Sequence, residues 1–377
     1  MQASQLSFPS ASRNLRGNQE DVMQKKGSSN LEQFFSESIG QKVWIGDDVH
    51  KRSYSAALCR EDGNIVSWKT SADNQALLRQ ISGKALDIQT VVYEAGPTGF
   101  SLARACEREG ITSIVAALSR IIRPVTPTAK TDSLDCRKLA VLTAKDMIKP
   151  IAVPSEEEEA LRALERRRHQ LADDRRRCKQ RRRSFLLFHG ISEPEGLETW
   201  SKAGIARLGQ IPLHRVQREV LKDMLEDLRQ VSNRIAELEK RLIDHTTALH
   251  GSRLTCLQSV PGVGPLTASS FLAELFRPER FKRGEEVAAY LGLAPIVRHS
   301  GEKSPAGRLH PTGHSRLRAL LVETAWIWQS RDKGIHDYYT RVLSHSGLAQ
   351  KAITAVARKL ALALWRLACE VRLYRPA

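Results

Sequence analysis

The sequence predicts an α/β domain followed by a longer, mainly helical part. Short β-prone runs occur at Val43–Val49, Tyr54–Leu58, Ile65–Thr70, Thr90–Ala95 and Ser113–Ala117. Helix-like stretches lie between or after the later runs, at Asn74–Ile81, Gly99–Glu109 and Ser133–Ile148. Three successive strands followed by alternating strands and helices indicate a sheet with an antiparallel edge. Residues 41–154 are therefore predicted to form one α/β domain.

Three other segments flank this domain. Residues 1–40 are rich in Ser, Gln and Asn without periodicity and are predicted to be a disordered extension. Residues 155–250 are predicted to be a helical connector with helices at Glu156–Phe188 and His214–Leu249. The second helix carries apolar residues at the three- and four-residue steps of a coiled coil, Leu221, Leu225, Leu228, Ile235, Leu238 and Leu242. Residues 251–377 are predicted to be a second helical domain ending in an amphipathic helix, Ala352–Arg372.

Composition narrows the possible functions. The 59 Lys and Arg residues outnumber the 42 Asp and Glu residues, which gives a net charge of +17. Such a charge attracts polyanions, although it can also serve solubility alone. The six cysteines form no C-x-x-C pair, which argues against a zinc ribbon or a disulfide framework. No apolar run reaches the roughly 18 residues of a membrane span, so we expect a cytoplasmic protein without a membrane partner.

Arginine triplets distinguish the first connector helix. Blocks of like charge repel one another, whereas a solvated helical face usually alternates its charges. The triplets therefore predict contact with nucleic acid, the alternative being a solvated face. The residues concerned are Arg166, Arg167, Arg168, Arg175, Arg176, Arg177, Arg181, Arg182 and Arg183.

Four acidic residues are candidates for a metal site. Asp48 and Glu94 end predicted strands, and Asp132 and Asp135 stand three apart at the start of a predicted helix. Strand ends are where open α/β sheets place ligands, and residues three apart share a helix face. Carboxylates suit two Mg²⁺ or Mn²⁺ ions, which promote phosphoryl transfer. From spacing alone, Asp132 and Asp135 could equally be capping a helix.

Three blocks containing these acids, GDDVHK, YEAGPTG and KTDSLDCRKLA, resemble those of the DEDD transposase family of insertion sequences. The resemblance runs from about residue 43 to the C-terminus and implies a RuvC-like, RNase H-like N-terminal domain. It assigns the four metal ligands to Asp48, Glu94, Asp132 and Asp135. Asp47 departs from the family, which usually has an apolar residue there, and Cys136 stands where alanine is common. Neighbours on a strand point to opposite faces, so only one of Asp47 and Asp48 can be a ligand, and the resemblance favours Asp48.

A glycine-containing turn is predicted between two helices of the C-terminal domain. The P-G-V-G sequence from Pro261 to Gly264 has the form of a helix–hairpin–helix core. Gly262 and Gly264 permit a tight turn, and the backbone N–H groups that follow can hold a DNA phosphate without reading sequence. The alternative is a purely structural joint.

The segment after this turn resembles the C-terminal transposase motif of the same family. The matching residues are Gly292, Leu293, Pro295, Ser300, Gly301, Gly313, Leu317 and Arg318. The resemblance implies that Ser300 is the nucleophile, whereas Ser304 lacks the following glycine. Arg298, Lys303 and Arg308 would neutralise charge that develops on the attacked phosphate.

The resemblance implies a recombinase that cuts and rejoins donor and target DNA through a phosphoserine intermediate. It also implies guidance by a structured noncoding bridge RNA, and action as a homo-dimer or tetramer. Two alternatives remain at this point. One is a metal-only RuvC-like nuclease or junction resolvase in which water attacks, and the other is a nucleic-acid-binding protein without catalysis whose acids cap helices.

Overall fold

The computed structural model describes residues 30–117, 132–295, 309 and 313–376. The chain divides into two compact units, residues 1–153 and 154–377. The predicted site residues Arg298, Ser300, Lys303 and Arg308 lie outside the described residues, and so does the side chain of Asp132.

A mixed five-stranded sheet organises the first unit. Its strands lie in the order β3-β2-β1-β4-β5. Strand β2 runs antiparallel to its neighbours β1 and β3, whereas β4 runs parallel to both β1 and β5. Their bounds are Lys42–Val49, Ser53–Arg60, Ile65–Ser71, Asp87–Glu94 and Ser113–Ala116. This confirms the predicted α/β domain with an antiparallel edge, while the RNase H-like fold stays a prediction.

Helices cover both faces of this sheet. Residues 30–37 form α1, and α2 (Asn74–Ser82) and α3 (Ser101–Arg108) share with it one apolar core against the sheet. On the opposite face lies α4 (Asp132–Ala144), whose Leu139 packs with Val92 of β4. A Cβ atom at Gly46 would stand 2.2 Å from the Cys136 carbonyl oxygen, so glycine is what lets α4 lie directly on β1.

For residues 30–37, helix α1 corrects the prediction of a disordered extension over residues 1–40. Phe35 is buried in the core of the first unit, and its ring centroid is 5.4 Å from that of Trp68. The Arg60 guanidinium lies 4.5 Å from the centre of the Phe34 ring. The polar composition concealed a short apolar stripe at Leu31, Phe34 and Phe35, whose three- and four-residue spacing is helical. Residues 1–29 lie outside the described part of the chain.

Two long antiparallel helices begin the second unit. These are α5 (Glu156–Phe188) and α7 (Arg215–Gln258), with the short α6 (Lys202–Leu208) between them. Leu161 packs with Leu242, and Leu186 packs with Leu221, so the two helices run in opposite directions. Of the stripe predicted at three- and four-residue steps along α7, Leu221, Leu228, Ile235 and Leu242 are buried, and Leu225 and Leu238 are half-buried. The predicted end at Leu249 corresponds to a kink at His250, beyond which the helix continues to Gln258.

The remaining helices pack around the last one. In order they are α8 (Pro265–Leu275), a short 3-10 helix (Pro278–Arg280), α9 (Gly284–Tyr290), α10 (Ser315–Arg331), α11 (Lys333–Ser346) and α12 (Ala349–Glu370). Leu360, Leu364 and Leu367 of α12 are buried, as predicted for the closing amphipathic helix. All six cysteines are free thiols. None of the helices in the described ranges is long and apolar enough to cross a membrane.

Candidate functional site

Asp48 and Glu94 stand at adjacent strand ends on the same face of the sheet. Gly46 pairs with Val92 and Asp47 with Tyr93 in the parallel register of β1 and β4, which brings Asp48 and Glu94 to the next position. Residues two apart on a strand share a face. Gly46 contacts α4 directly and Val92 packs against it. Both acids therefore lie on the face that α4 covers, at the carboxyl ends of parallel strands, where α/β sheets bind ligands.

The first turns of α4 approach this edge. Cys136 contacts Gly46 of β1, so Asp135 precedes the point where the helix meets the strand. Helix α4 also contacts β2 and β4, so it lies across the middle strands of the sheet. The described side chains include no group of three or more His, Cys, Asp or Glu residues close enough to hold a metal ion.

Asp47 and Asp48 have opposite surroundings. The Asp47 side chain is fully buried, and its two carboxylate oxygens have no hydrogen-bond partner among the described residues. Burial, together with the charge of Asp48, raises the pKa of Asp47 to about 8. The Asp48 side chain is 17% exposed, and its Oδ2 lies 3.0 Å from Nε2 of His50. The accessible carboxylate is thus the one on the α4 face, which supports Asp48 as the ligand.

His50 was not among the predicted site residues. It is half exposed and contacts the Asp48 carboxylate directly. A signal was present in the sequence, because residues two apart in an extended chain project to the same side. An imidazole at this distance can hydrogen-bond a carboxylate and fix its orientation.

Only some of the arginines predicted to contact nucleic acid are exposed to solvent. Several of these arginines form ion pairs within the second unit: Arg166 with Glu274 (3.4 Å), Arg168 with Glu239 (2.6 Å), Arg176 with Asp173 (3.2 Å), Arg177 with Asp174 (2.7 Å) and Arg183 with Glu193 (3.2 Å). Arg182 was predicted to contact nucleic acid, and the structure corrects this. Its side chain is 1% exposed and donates to the Cys178 carbonyl oxygen. The side chains that remain open to solvent are Arg167, Arg176, Arg177 and Arg181.

A glycine turn joins α7 to α8, as the P-G-V-G sequence predicts. Gly262 has a φ of +88°, and a Cβ atom there would lie 2.9 Å from the Ile327 side chain of α10. Glycine is therefore needed at 262 both for the turn and for its packing, which agrees with a structural role. Gly264 precedes the first residue of α8, and a Cβ atom there would meet no neighbour within 4 Å. The predicted phosphate contact at these glycines stays a prediction.

The two ends of the segment that contains Ser300 meet each other. Pro295 and Leu309 form an isolated antiparallel bridge. Gly313, at a φ of +108°, lies so close to Gly292 that a Cβ atom would stand 2.5 Å from the Gly292 nitrogen. The Arg318 guanidinium donates to the Gly292 carbonyl oxygen at 3.0 Å. Three residues of the resembling motif, Gly292, Gly313 and Arg318, therefore close the base of this segment.

A buried ionic cluster lies beside that base. The carboxylate of Glu274 is 3.3 Å from Arg162 Nε, 3.4 Å from Arg166 Nε and 3.6 Å from His314 Nδ1. Burial raises the pKa of Glu274, but the charges of His314, Arg162 and Arg166 outweigh that effect and lower it overall. The Tyr290 hydroxyl donates to the Glu274 backbone carbonyl oxygen, and its ring centroid is 4.6 Å from that of His314. Sequence reasoning missed this cluster, because its members come from three helices and a loop.

Comparison with known proteins gives two family matches. Residues 45–190 match a DEDD transposase family of the IS110 type, described as transposase, and residues 254–340 match one described as the IS116/IS110/IS902 transposase family. The first range contains the four candidate acids, and the second contains the glycine turn and Ser300. These two matches indicate a transposase of an insertion sequence.

Individual relatives agree. A putative transposase of Sinorhizobium fredii, y4rJ, is 30% identical over 316 residues, which cover 73% of this chain and 76% of the relative. Another putative transposase of that organism, y4qE, is 28% identical and covers 88% and 90%. The transposase of element IS1533 from Leptospira borgpetersenii is 27% identical and covers 76% and 85%. The chain belongs to the IS110/IS116 family of insertion-sequence transposases, and this membership implies DNA recombination activity.

Proposed function

We propose that this transposase cuts and rejoins DNA with Ser300 as nucleophile and with Asp48, Glu94, Asp132 and Asp135 as ligands of Mg²⁺ or Mn²⁺. The observation that carries the metal assignment is the placement of Asp48 and Glu94 at adjacent parallel strand ends beneath the start of α4. The strand order β3-β2-β1-β4-β5, with three antiparallel strands and two parallel ones, supports an RNase H-like fold for the first unit.

The donor set fits a hard divalent cation. The candidate acids supply only oxygen ligands, which Mg²⁺ and Mn²⁺ prefer over sulfur or imidazole donors. Asp48 is partly open to solvent and fixed by His50, so its carboxylate is reachable by an ion. Asp47 does not fit, because it points into the apolar core with Val43 and Ile45. Bound divalent ions would lower the pKa of an attacking hydroxyl and neutralise charge on the leaving oxygen.

The residues of the chain account for the other steps. The Ser300 oxygen forms a bond to phosphorus, its proton passes to a base, and the phosphodiester bond to one DNA oxygen breaks as that oxygen gains a proton. Arg298, Lys303 and Arg308 stabilise the charge on the phosphorus oxygens. The reverse attack by a hydroxyl of another strand releases Ser300 and reseals the DNA. Each step replaces one phosphate ester bond by another, so no external energy source is needed.

Partners follow from the charge and the resemblance. Donor and target DNA are contacted through phosphates by the exposed arginines of α5 and by the turn at Gly262 and Gly264, a contact that carries no sequence information. A structured bridge RNA would supply sequence recognition by base pairing, as in other RNA-guided systems. A homo-dimer or tetramer would bring the required active sites to the two DNA partners. The net charge of +17 supports binding to such polyanions.

Ser300→Ala tests the mechanism against a metal-only nuclease. The variant lacks the attacking oxygen, so strand cleavage and any protein–DNA adduct should disappear while DNA binding, followed by fluorescence anisotropy, is retained. Ser304→Ala is the matched control and should keep both activities. With the unaltered protein, a nicked substrate should trap DNA on the peptide that contains Ser300, which mass spectrometry identifies. Cleavage by Ser300→Ala, or free phosphate ends without an adduct, would contradict the proposed nucleophile.

A further inference from the structure

The end of α5 carries an apolar pair that stands out from the surface. Leu187 is 80% exposed and Phe188 is 85% exposed, more than any other large apolar side chain in the described part of the chain. The Phe188 ring contacts only the edge of His189 among the described aromatic rings, at a centroid distance of 5.2 Å. An aromatic residue held this far into water presents a free ring face. Two adjacent apolar side chains exposed to this degree are a candidate for part of a binding surface.

Phe188 continues a stripe of polar and basic residues along α5. Arg177, Arg181, Ser184 and Phe188 follow one another at four-, three- and four-residue steps, which places them on one side of the helix. The same four residues line a groove between α5 and Met224 of α7. At 1.5 Å per residue the stripe is roughly 16 Å long, the length of a few nucleotides.

The charge around the stripe selects the kind of partner. Arg181 is exposed, and Arg177 forms an exposed ion pair with Asp174 at 2.7 Å. Burial and the charges of Arg175 and Arg183 lower the pKa of Lys179, which records the excess of positive charge at this end of the helix. A purely apolar partner would leave these cations unmatched, whereas a nucleic-acid strand offers phosphates for them and bases for the ring.

We propose that this face of α5 binds an unpaired segment of a DNA strand, with Arg177 and Arg181 on its phosphates and a base stacked on Phe188. The inference rests on the proposed function, because it takes DNA as the partner. Paired bases offer no free face to a side chain outside the duplex, so a protruding ring favours strands that are open. Strand exchange in recombination generates such segments. Apolar side chains also act as wedges that hold a base step apart.

Phe188→Ala in the full-length protein tests the stacking contact. The probe is a short single-stranded DNA with a 2-aminopurine base, compared with a blunt duplex of the same sequence. Stacking is worth about 1–3 kcal/mol per base, so affinity for the single strand should fall roughly 5- to 150-fold while duplex affinity changes little. The quenching of 2-aminopurine by the unaltered protein should also diminish. Phe188→Tyr keeps a ring and should restore both readouts, and Leu373→Ala, at another exposed apolar residue, is the control.

Arg181→Gln tests the phosphate contact separately. It should lower the slope of log affinity against log salt for the single strand by about 0.7. Unchanged single-strand affinity in Phe188→Ala would overturn the inference, as would an equal loss on the duplex or a loss confined to a single-stranded RNA probe. A fall in mass by light scattering would overturn it too, since the face would then join copies of this chain. If the unaltered protein bound no DNA at all, the proposed function itself would fail.

Discussion

The two halves of α5 carry similar arginine-rich sequences but use them differently. In the first half, Arg162 and Arg166 turn inward to the buried carboxylate of Glu274. In the second half, Arg177 and Arg181 are exposed and line an open groove. The difference comes from the surroundings, since the first half packs against α8 and the second continues beyond it toward the α6 region. An arginine triplet is thus a candidate for nucleic-acid contact only where no buried acidic partner holds its side chains.

Strand β1 contrasts with α5, because the alternation of side chains along the strand decides which residues are buried. Asp47 and Asp48 are chemically identical neighbours, yet Asp47 is buried without a hydrogen-bond partner in the described part of the chain, and Asp48 is accessible beside His50. Alternation of side chains along a strand separates them without any knowledge of the partner elements. On α5, by contrast, the helical period places arginines on several faces, and only packing tells which face is covered.

The largest expected effect separates the two aspartates of β1. Asp48→Asn removes a charge from the proposed metal site, which should cost several kcal/mol of transition-state stabilisation and so lower recombination by at least about 10³-fold. Asp47→Asn should leave recombination within about threefold, because that side chain lies on the opposite face of the sheet. The rate of product formation on a donor–target DNA pair in Mg²⁺ measures both. Equal losses in the two variants would remove the distinction between them.

The next largest expected effect is on stability, and it compares a buried ion pair of α5 with an exposed one. Glu274→Gln leaves Arg162 and Arg166 without their charge partner and should lower the free energy of unfolding by about 3 kcal/mol. Glu193→Gln breaks the exposed pair with Arg183 and should cost under about 1 kcal/mol. Urea unfolding followed by circular dichroism gives both values. Similar costs would mean that burial does not distinguish the two halves.

The same residue predicts a dependence on pH. The pKa of Glu274 is lowered in the folded protein, so its contribution is complete above the unfolded value of about 4.5 and is lost as the pH falls through the folded value. The difference in stability between the unaltered protein and Glu274→Gln should therefore shrink as the solution is acidified below pH 4.5. A difference that grew on acidification would show that the ionised carboxylate is not the stabilising form.

The helices, the strands and the ends of the strands were predicted well, because they depend on the spacing of apolar residues along short stretches of the sequence. Strand and helix positions in the first unit, the extent of α5 and the seam of α7 agree with the structure to within a few residues. Asp48 and Glu94 were predicted to stand at strand ends, whereas their position side by side on one face depends on the pairing of β1 with β4. The cluster around Glu274 could not be predicted, since Arg162, Glu274 and His314 are far apart in the chain and meet only through packing. Helix α1 was missed because a three-residue apolar stripe is short against its polar background.

The smallest expected effect tests whether the halves of α5 differ in function as well as in burial. Replacing Arg175, Arg176 and Arg177 together by Gln should weaken DNA binding for all sequences and reduce the salt slope by up to about one unit per lost phosphate contact. Unfolding should change by less than about 1 kcal/mol, because the pairs of Arg176 and Arg177 are exposed. Arg166→Gln and Arg168→Gln are the matched variants from the first half.

Those first-half variants should behave in the opposite way. They remove partners of Glu274 and Glu239, so stability should fall while the salt slope of DNA binding stays the same. Anisotropy titrations at several salt concentrations give the salt slope of DNA binding for each variant, and urea unfolding gives its free energy of unfolding. If the first-half variants changed the slope as much as the triple variant, the whole helix would bind DNA, and the ion pairs of its first half would have to open in the complex. If neither set changed the slope, the arginine-rich surface of α5 would be a solvated surface only, and other basic residues would contact DNA.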